Sequence, residues 1–192
     1  GPYVHEILHA LGLQDVGGTL GRWDIMGRGA YYGDPPGSSP AHPSAYNKIK
    51  LGWINPSEVR TVTSTAEVAL SPLESASNRA SAVKIPLQAG SYYLIEFRDR
   101  LGFDQGLPSP ALMITLVEER KSPGEWKVNL IPVEDGGVDQ HGVENAGKSL
   151  VLALEDDYAD TVFFADPENK IVVKGQPYSS NASLMRIEVL FN

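Results

Sequence analysis

The sequence predicts an α+β protein: a helix-and-loop segment over residues 1–58, then an all-β sandwich of jelly-roll-like kind over 59–192. Three observations predict it. Apolar residues recur at helical spacing near the start, in "YVHEILHALGL". Residues 14–42 then hold seven glycines and three prolines, a loop composition. Beyond about residue 58, short runs rich in β-branched and aromatic residues alternate with turn residues.

Each element has its own signal. Val4, Ile7, Leu8 and Leu11 place the first helix over residues 3–13, and Gly12 suits its end, where a left-handed residue is favoured. A second helix is expected in "HPSAYNKIKLGW", residues 42–53, with Pro43 near its first turn and Gly52 near its end. "INPSE" then turns the chain. Ten strand-like runs follow: "VRTVT", "AEVAL", "SAVKIPL", "SYYLIEFR", "ALMITLVEE", "EWKVNLIPV", "SLVLALE", "DTVFFA", "KIVVKG" and "LMRIEVLF". In the last, Met185, Ile187, Val189 and Phe191 share one face and Arg186 and Glu188 the other, the mark of a half-buried strand. Many short strands separated by turns point to a sandwich.

Composition narrows the function classes. The 192 residues are 42% hydrophobic and 21% charged, as in a globular chain. A net charge of −8 with no basic run argues against nucleic acid and anionic membranes as partners. No apolar stretch approaches the roughly 20 residues of a membrane span. Cysteine is absent, which removes disulfides, thiolate catalysis and cysteine-ligated zinc.

Chemistry concentrates in "HEILHALGLQD", residues 5–15. Residues four apart on a helix lie one turn above each other, so His5 and His9 can face one metal ion. Glu6, rotated about 100° from His5, is placed as a general base rather than a ligand. Gly12 lets the chain fold back so that Asp15 can supply a third ligand. Three protein ligands leave the open position of a catalytic zinc site, whereas a structural site is closed by four. The competing reading is a helix with two surface histidines, a cap glycine and a solvated aspartate. In "RWDIMG", Met26 is the candidate for a methionine turn that packs a thioether beneath the histidines, against a plain packing role.

"HEILHALGLQD", "WDIMG" and "HPSAYNKIKLGWINP" together resemble the metzincin-type zinc metalloproteases of the immune inhibitor A family. "YYLIEFRDRLGFDQGLPSPALMITLVEE" is similar to that family's downstream β segment. The resemblance spans roughly residues 2–60 and, less specifically, 90–120. It implies that His5, His9 and Asp15 bind Zn2+, that Glu6 is the base and that Met26 is the turn methionine. It also implies that residues 1–58 are the C-terminal, helical part of a zincin-like catalytic domain, acting on protein or peptide substrates outside the cell or at its surface. Only Gly1–Val4 precede His5 here, so the upstream subdomain is expected on another chain or in a lost segment.

Further candidates are weaker. Tyr31 and Tyr32 could place a phenol near the metal, and His42 could line the cleft; packing or capping competes for each. Glu134, Asp135 and Asp139, and Asp156, Asp157 and Asp160, are hard-oxygen sets that suit Ca2+, with solvated turns as the alternative. His141 reads as a solvated loop residue, and "NAS" at 181–183 as a glycosylation sequon that matters only in a secretory setting. The leading expectation is a zinc endopeptidase present as a fragment. The alternatives are a non-enzymatic surface component that keeps a protease-derived fold, and a carbohydrate- or protein-binding β module.

Overall fold

The computed structural model describes residues 1–16, 20–75, 79–118, 127–129, 150–153, 163–175 and 184–192. The candidate Ca2+ residues Glu134, Asp135, Asp139, Asp156, Asp157 and Asp160 lie outside them, as do His141 and the 181–183 sequon.

The protein is mixed α/β, with two sheets and few helices, and its described strands form no closed barrel. Helix α1 spans Pro2–Ala10 and helix α2 spans Ala45–Lys50; short 3-10 turns at Gly21–Trp23 and Arg28–Tyr31 break the loop between them. The strands are β1 (Val59–Thr61), β2 (Ala66–Leu70), β3 (Ala82–Pro86), β4 (Ser91–Arg98), β5 (Ala111–Glu118), β6 (Lys127–Asn129), β7 (Leu150–Ala153), β8 (Phe163–Asp166), β9 (Ile171–Gly175) and β10 (Met185–Phe191). Each falls within one of the ten runs expected from the sequence, except that β8 extends one residue past its run, to Asp166.

One sheet runs β1-β3-β4-β5, and β6 and β7 share the far edge of β5, β7 on Ala111–Ile114 and β6 on Leu116–Glu118. Its β1–β3 pair is parallel and the rest antiparallel. The other sheet, β2-β10-β9-β8, is antiparallel throughout.

The two long strands explain the layering. β4 is buried at every position but its first, and "YYLIEF" is apolar without alternation apart from its glutamate. Such a run marks a strand covered on both faces. Tyr93, Ile95 and Phe97 point into a cluster with Val68, Leu70, Val173, Ile187 and Val189 of the second sheet. Tyr92 and Leu94, on the opposite face, pack with Ala45 and Ile54 of the helical segment. Leu107, Ala111 and Met113 join a third cluster with Leu8, Leu13, Trp23 and Met26. The first sheet is therefore a middle layer, with the second sheet on one side and the helix-and-loop segment on the other. β10 covers one face only, and its alternating burial follows the alternating sequence.

α2 starts later than Pro43. Ser44 caps it, its hydroxyl accepting from Asn47 N–H at 3.4 Å, and Gly52 follows its end at φ +72°. Pro43 lies just before the cap residue, outside the helix.

Candidate metal centre

α1 lacks a side-chain N-cap, and Leu8 is its one fully buried residue. The helix ends where Gly12 takes φ +95°, a conformation costly to any residue with a Cβ. Gly12 N–H donates to the His9 carbonyl at 2.9 Å and Leu13 N–H to that of Leu8 at 3.0 Å, closing the last turn. Leu13 and Val16 are buried, and Val16 N–H donates to the Met26 carbonyl at 3.1 Å. Asp15 is held between these anchors. Its side chain turns back toward α1 while remaining 66% exposed.

The structure brings His5, His9 and Asp15 together, and they are the one such potential metal-binding group among the described residues. His5 Nε2 lies 3.1 Å from His9 Nε2 and 3.2 Å from Asp15 Oδ1, and His9 Nε2 lies 3.5 Å from the same oxygen. The imidazoles meet edge to face, their planes 87° apart. Each Nδ1 faces a carbonyl: His5 toward Ile25 at 2.8 Å, His9 toward Leu13 at 3.0 Å. A carbonyl only accepts, so each Nδ1 carries a proton, and Nε2 is the ring atom each histidine turns toward the shared site. Two ring nitrogens and a carboxylate oxygen thus converge, a group that could hold a metal ion. Bond lengths of about 2.0–2.1 Å at a tetrahedral metal put neighbouring donors roughly 3.3 Å apart. The three observed separations bracket that value. The donor set and its spacing are compatible with a metal ion.

Around this group, residues 24–26 form a tight turn. Asp24 is completely buried; its Oδ1 accepts from Met26 N–H at 2.6 Å, and its Oδ2 accepts from Ser44 N–H and Asn47 Nδ2, each at 2.8 Å. Burial pushes its carboxyl above the ordinary range, against the pull of these donors and of Arg98. Met26 is fully buried in the cluster that also holds Leu8, Leu13 and Val16. Gly29 is required where the loop crosses itself, since a Cβ there would lie 2.7 Å from the Asp24 carbonyl oxygen and 2.7 Å from Ala41 Cβ.

Glu6 is exposed on α1. Tyr31 is 63% exposed, and Tyr32 is partly buried with a hydroxyl that has no hydrogen-bond partner among the described residues. His42 Nε2 sits 3.1 Å from Glu74 Oε1. Burial first, then the charge of Lys48, pulls the His42 imidazole down to about 4, while burial raises Glu74. The structure pairs none of Tyr31, Tyr32 and His42 with the His5–His9–Asp15 group.

A buried ionic cluster, unforeseen as such, braces the region. Arg98 is fully buried on β4. Its Nε and Nη2 grip the two oxygens of Asp104, both at 2.7 Å. Its Nη1 donates to the Trp23 carbonyl at 2.7 Å and to Glu96 Oε1 at 3.2 Å, and Nη2 also donates to the His42 carbonyl at 3.1 Å. All five guanidinium donors are therefore used. Glu96 Oε2 in turn accepts from Ala45 N–H at 2.7 Å, anchoring α2. The signal was present in "EFR": a glutamate and an arginine two apart in an otherwise apolar strand occupy one buried face and need partners there.

Comparison of the chain with protein-family models, curated proteins and solved structures finds no match.

Proposed function

We propose that this protein is a zinc-dependent endopeptidase of the metzincin type, similar to the immune inhibitor A family, and that residues 1–58 are the C-terminal part of its catalytic domain. The observation that carries the reading is the convergence of three potential ligand atoms, 3.1 to 3.5 Å apart, on one open face. His5, His9 and Asp15 hold the metal. Zinc bound there supplies a Lewis acid that acidifies water and polarises a peptide carbonyl. The protein's own contribution is orientation and proton transfer. The Ile25 and Leu13 carbonyls fix both imidazoles with Nε2 toward the metal position. Glu6, one residue from His5 and in contact with solvent, takes the proton released by the water and returns it to the leaving amine.

The outward face of α1 supports a further part of this reading. Tyr3, Val4, Ile7 and Leu11 are 87%, 45%, 59% and 56% exposed. An upstream catalytic subdomain, on the same or another chain, would cover them and complete the substrate cleft. The setting proposed is extracellular or cell-surface. The test is casein hydrolysis by protein that includes such a subdomain: turnover that survives Glu6→Ala, or that ignores a zinc chelator, would sink the proposal.

A second reading is a non-enzymatic surface component that keeps the protease-derived fold. The openness of the site favours it, with the Asp15 side chain 66% exposed. Clear peptide turnover by the zinc-loaded 192-residue chain would rule it out.

A further inference from the structure

We propose that Asp24 is the positioning residue of the metal centre, its carboxylate setting the His5 ligand in place and its backbone carbonyl bracing the turn against which the Asp15 segment is held. The proposal rests on the metal-binding reading above. Asp24 touches none of the three ligands. It acts through the turn it closes. Its Oδ1 receives Met26 N–H at 2.6 Å, which fixes the peptide planes on either side of Ile25. The carbonyl of Ile25 is the acceptor for His5 Nδ1, at 2.8 Å. The carbonyl of Met26 is the acceptor for Val16 N–H, next to Asp15, at 3.1 Å. The carboxylate therefore fixes the peptide that carries the Ile25 carbonyl, while the Asp24 backbone carbonyl, accepting from Gly27 N–H at 2.9 Å, fixes the next peptide, which carries the Met26 carbonyl.

The other oxygen explains why the turn does not drift. Ser44 N–H and Asn47 Nδ2, both at 2.8 Å, tie Asp24 to the first turn of α2. That helix is itself tied to the middle sheet by Ala45 N–H on Glu96. Arg98 holds the same turn from its other end by donating to the Trp23 carbonyl. Met26 N–H, Ser44 N–H and Asn47 Nδ2 all donate to these oxygens and the Ser44 hydroxyl bonds the same carboxylate, so the ionised aspartate accepts from every partner. An asparagine would turn one oxygen into a donor and set it against a donor already there.

The test uses the full chain and two variants. Zinc affinity is measured by competition with a chromophoric chelator, and the ligand field is read from the visible bands with cobalt(II) in place of zinc. Asp24→Asn is expected to weaken zinc binding about 10- to 100-fold and to shift the cobalt bands, with far-UV circular dichroism unchanged. Asn47→Leu, close in size and remote from the metal, removes one of these bonds. It is expected to weaken zinc binding by about tenfold, the lower end of the same range. In zinc-free protein, the ring 15N shifts of His5 should report the Nδ1–H tautomer in the wild type and a mixture in both variants. A folded variant with wild-type affinity, cobalt spectrum and tautomer overturns the proposal. Should Asp24→Asn fail to fold, Asn47→Leu decides alone. A wild-type chain that takes up no zinc overturns the metal-binding reading instead, and the tautomer measurement still decides whether Asp24 orients His5.

Discussion

Replacing Arg98 by methionine probes how the middle sheet supports the metal-binding loop. The guanidinium is fully buried, satisfies Asp104 in a two-point grip and also serves Glu96 and the carbonyls of Trp23 and His42. Methionine fills much of the same volume but donates nothing. It leaves two buried carboxylates and two carbonyls without this partner, and breaking a buried pair from one side typically costs about 3–5 kcal/mol. With a urea m-value of about 2 kcal/mol/M, the unfolding midpoint should fall by roughly 2 M. Trp23, buried in the affected loop, supplies the fluorescence signal. The deficit should also depend on pH. Burial already raises the Glu96 carboxyl despite Arg98 beside it, and losing the cation raises it further. A carboxyl raised in the folded state binds protons more readily there than when unfolded. The variant therefore regains stability relative to wild type as pH falls from 7 toward 5. A loss under about 1 kcal/mol at pH 7, or a gap that widens on acidification, would refute the reasoning.

Other consequences follow from the same geometry. His42 is held at about 4 against an ordinary value of 6.5, so the folded state binds fewer protons between those values. Stability is then lost as pH falls through that window, by about 1–2 kcal/mol at pH 5, and His42→Gln should flatten this part of a denaturation-versus-pH curve. Met26→Ala, at a fully buried position, should cost about 2–5 kcal/mol in chemical denaturation and weaken zinc binding in a chelator competition. Gly12→Ala meets no atom within 4 Å, so its cost should come from backbone strain alone. With φ at +95°, that cost is about 1–2 kcal/mol, measurable as a lowered midpoint with an unchanged m-value.

Much of this was legible in the sequence because it depends on local chemistry. The i, i+4 spacing of His5 and His9 is a property of the helix, and Gly12 announces its own positive φ. The ten strand runs were legible from side-chain pattern, and the unbroken apolar character of "YYLIEF" also carried the information that β4 is covered on both faces. Long-range pairing was not legible. Nothing adjacent to Asp24 says that its partners are Ser44 and Asn47, or that Arg98, 75 residues beyond Trp23, donates to that residue's carbonyl. Such bonds are fixed by how the loop lies on the sheet, and the pattern of either segment alone does not encode it. The helix end at Ala10 and the Ser44 cap also differ from the sequence expectation by a few residues, because individual cap bonds, not periodicity, fix where a helix begins and ends.

The central claim is that three side chains form an open zinc site, and X-ray absorption of protein loaded with one equivalent of zinc tests it most directly. The account predicts two imidazole nitrogens at about 2.0–2.1 Å with the remaining positions filled by oxygen, and loss of one imidazole signal in either His5→Ala or His9→Ala. A zinc spectrum without histidine scattering, or one unchanged by both substitutions, would contradict it.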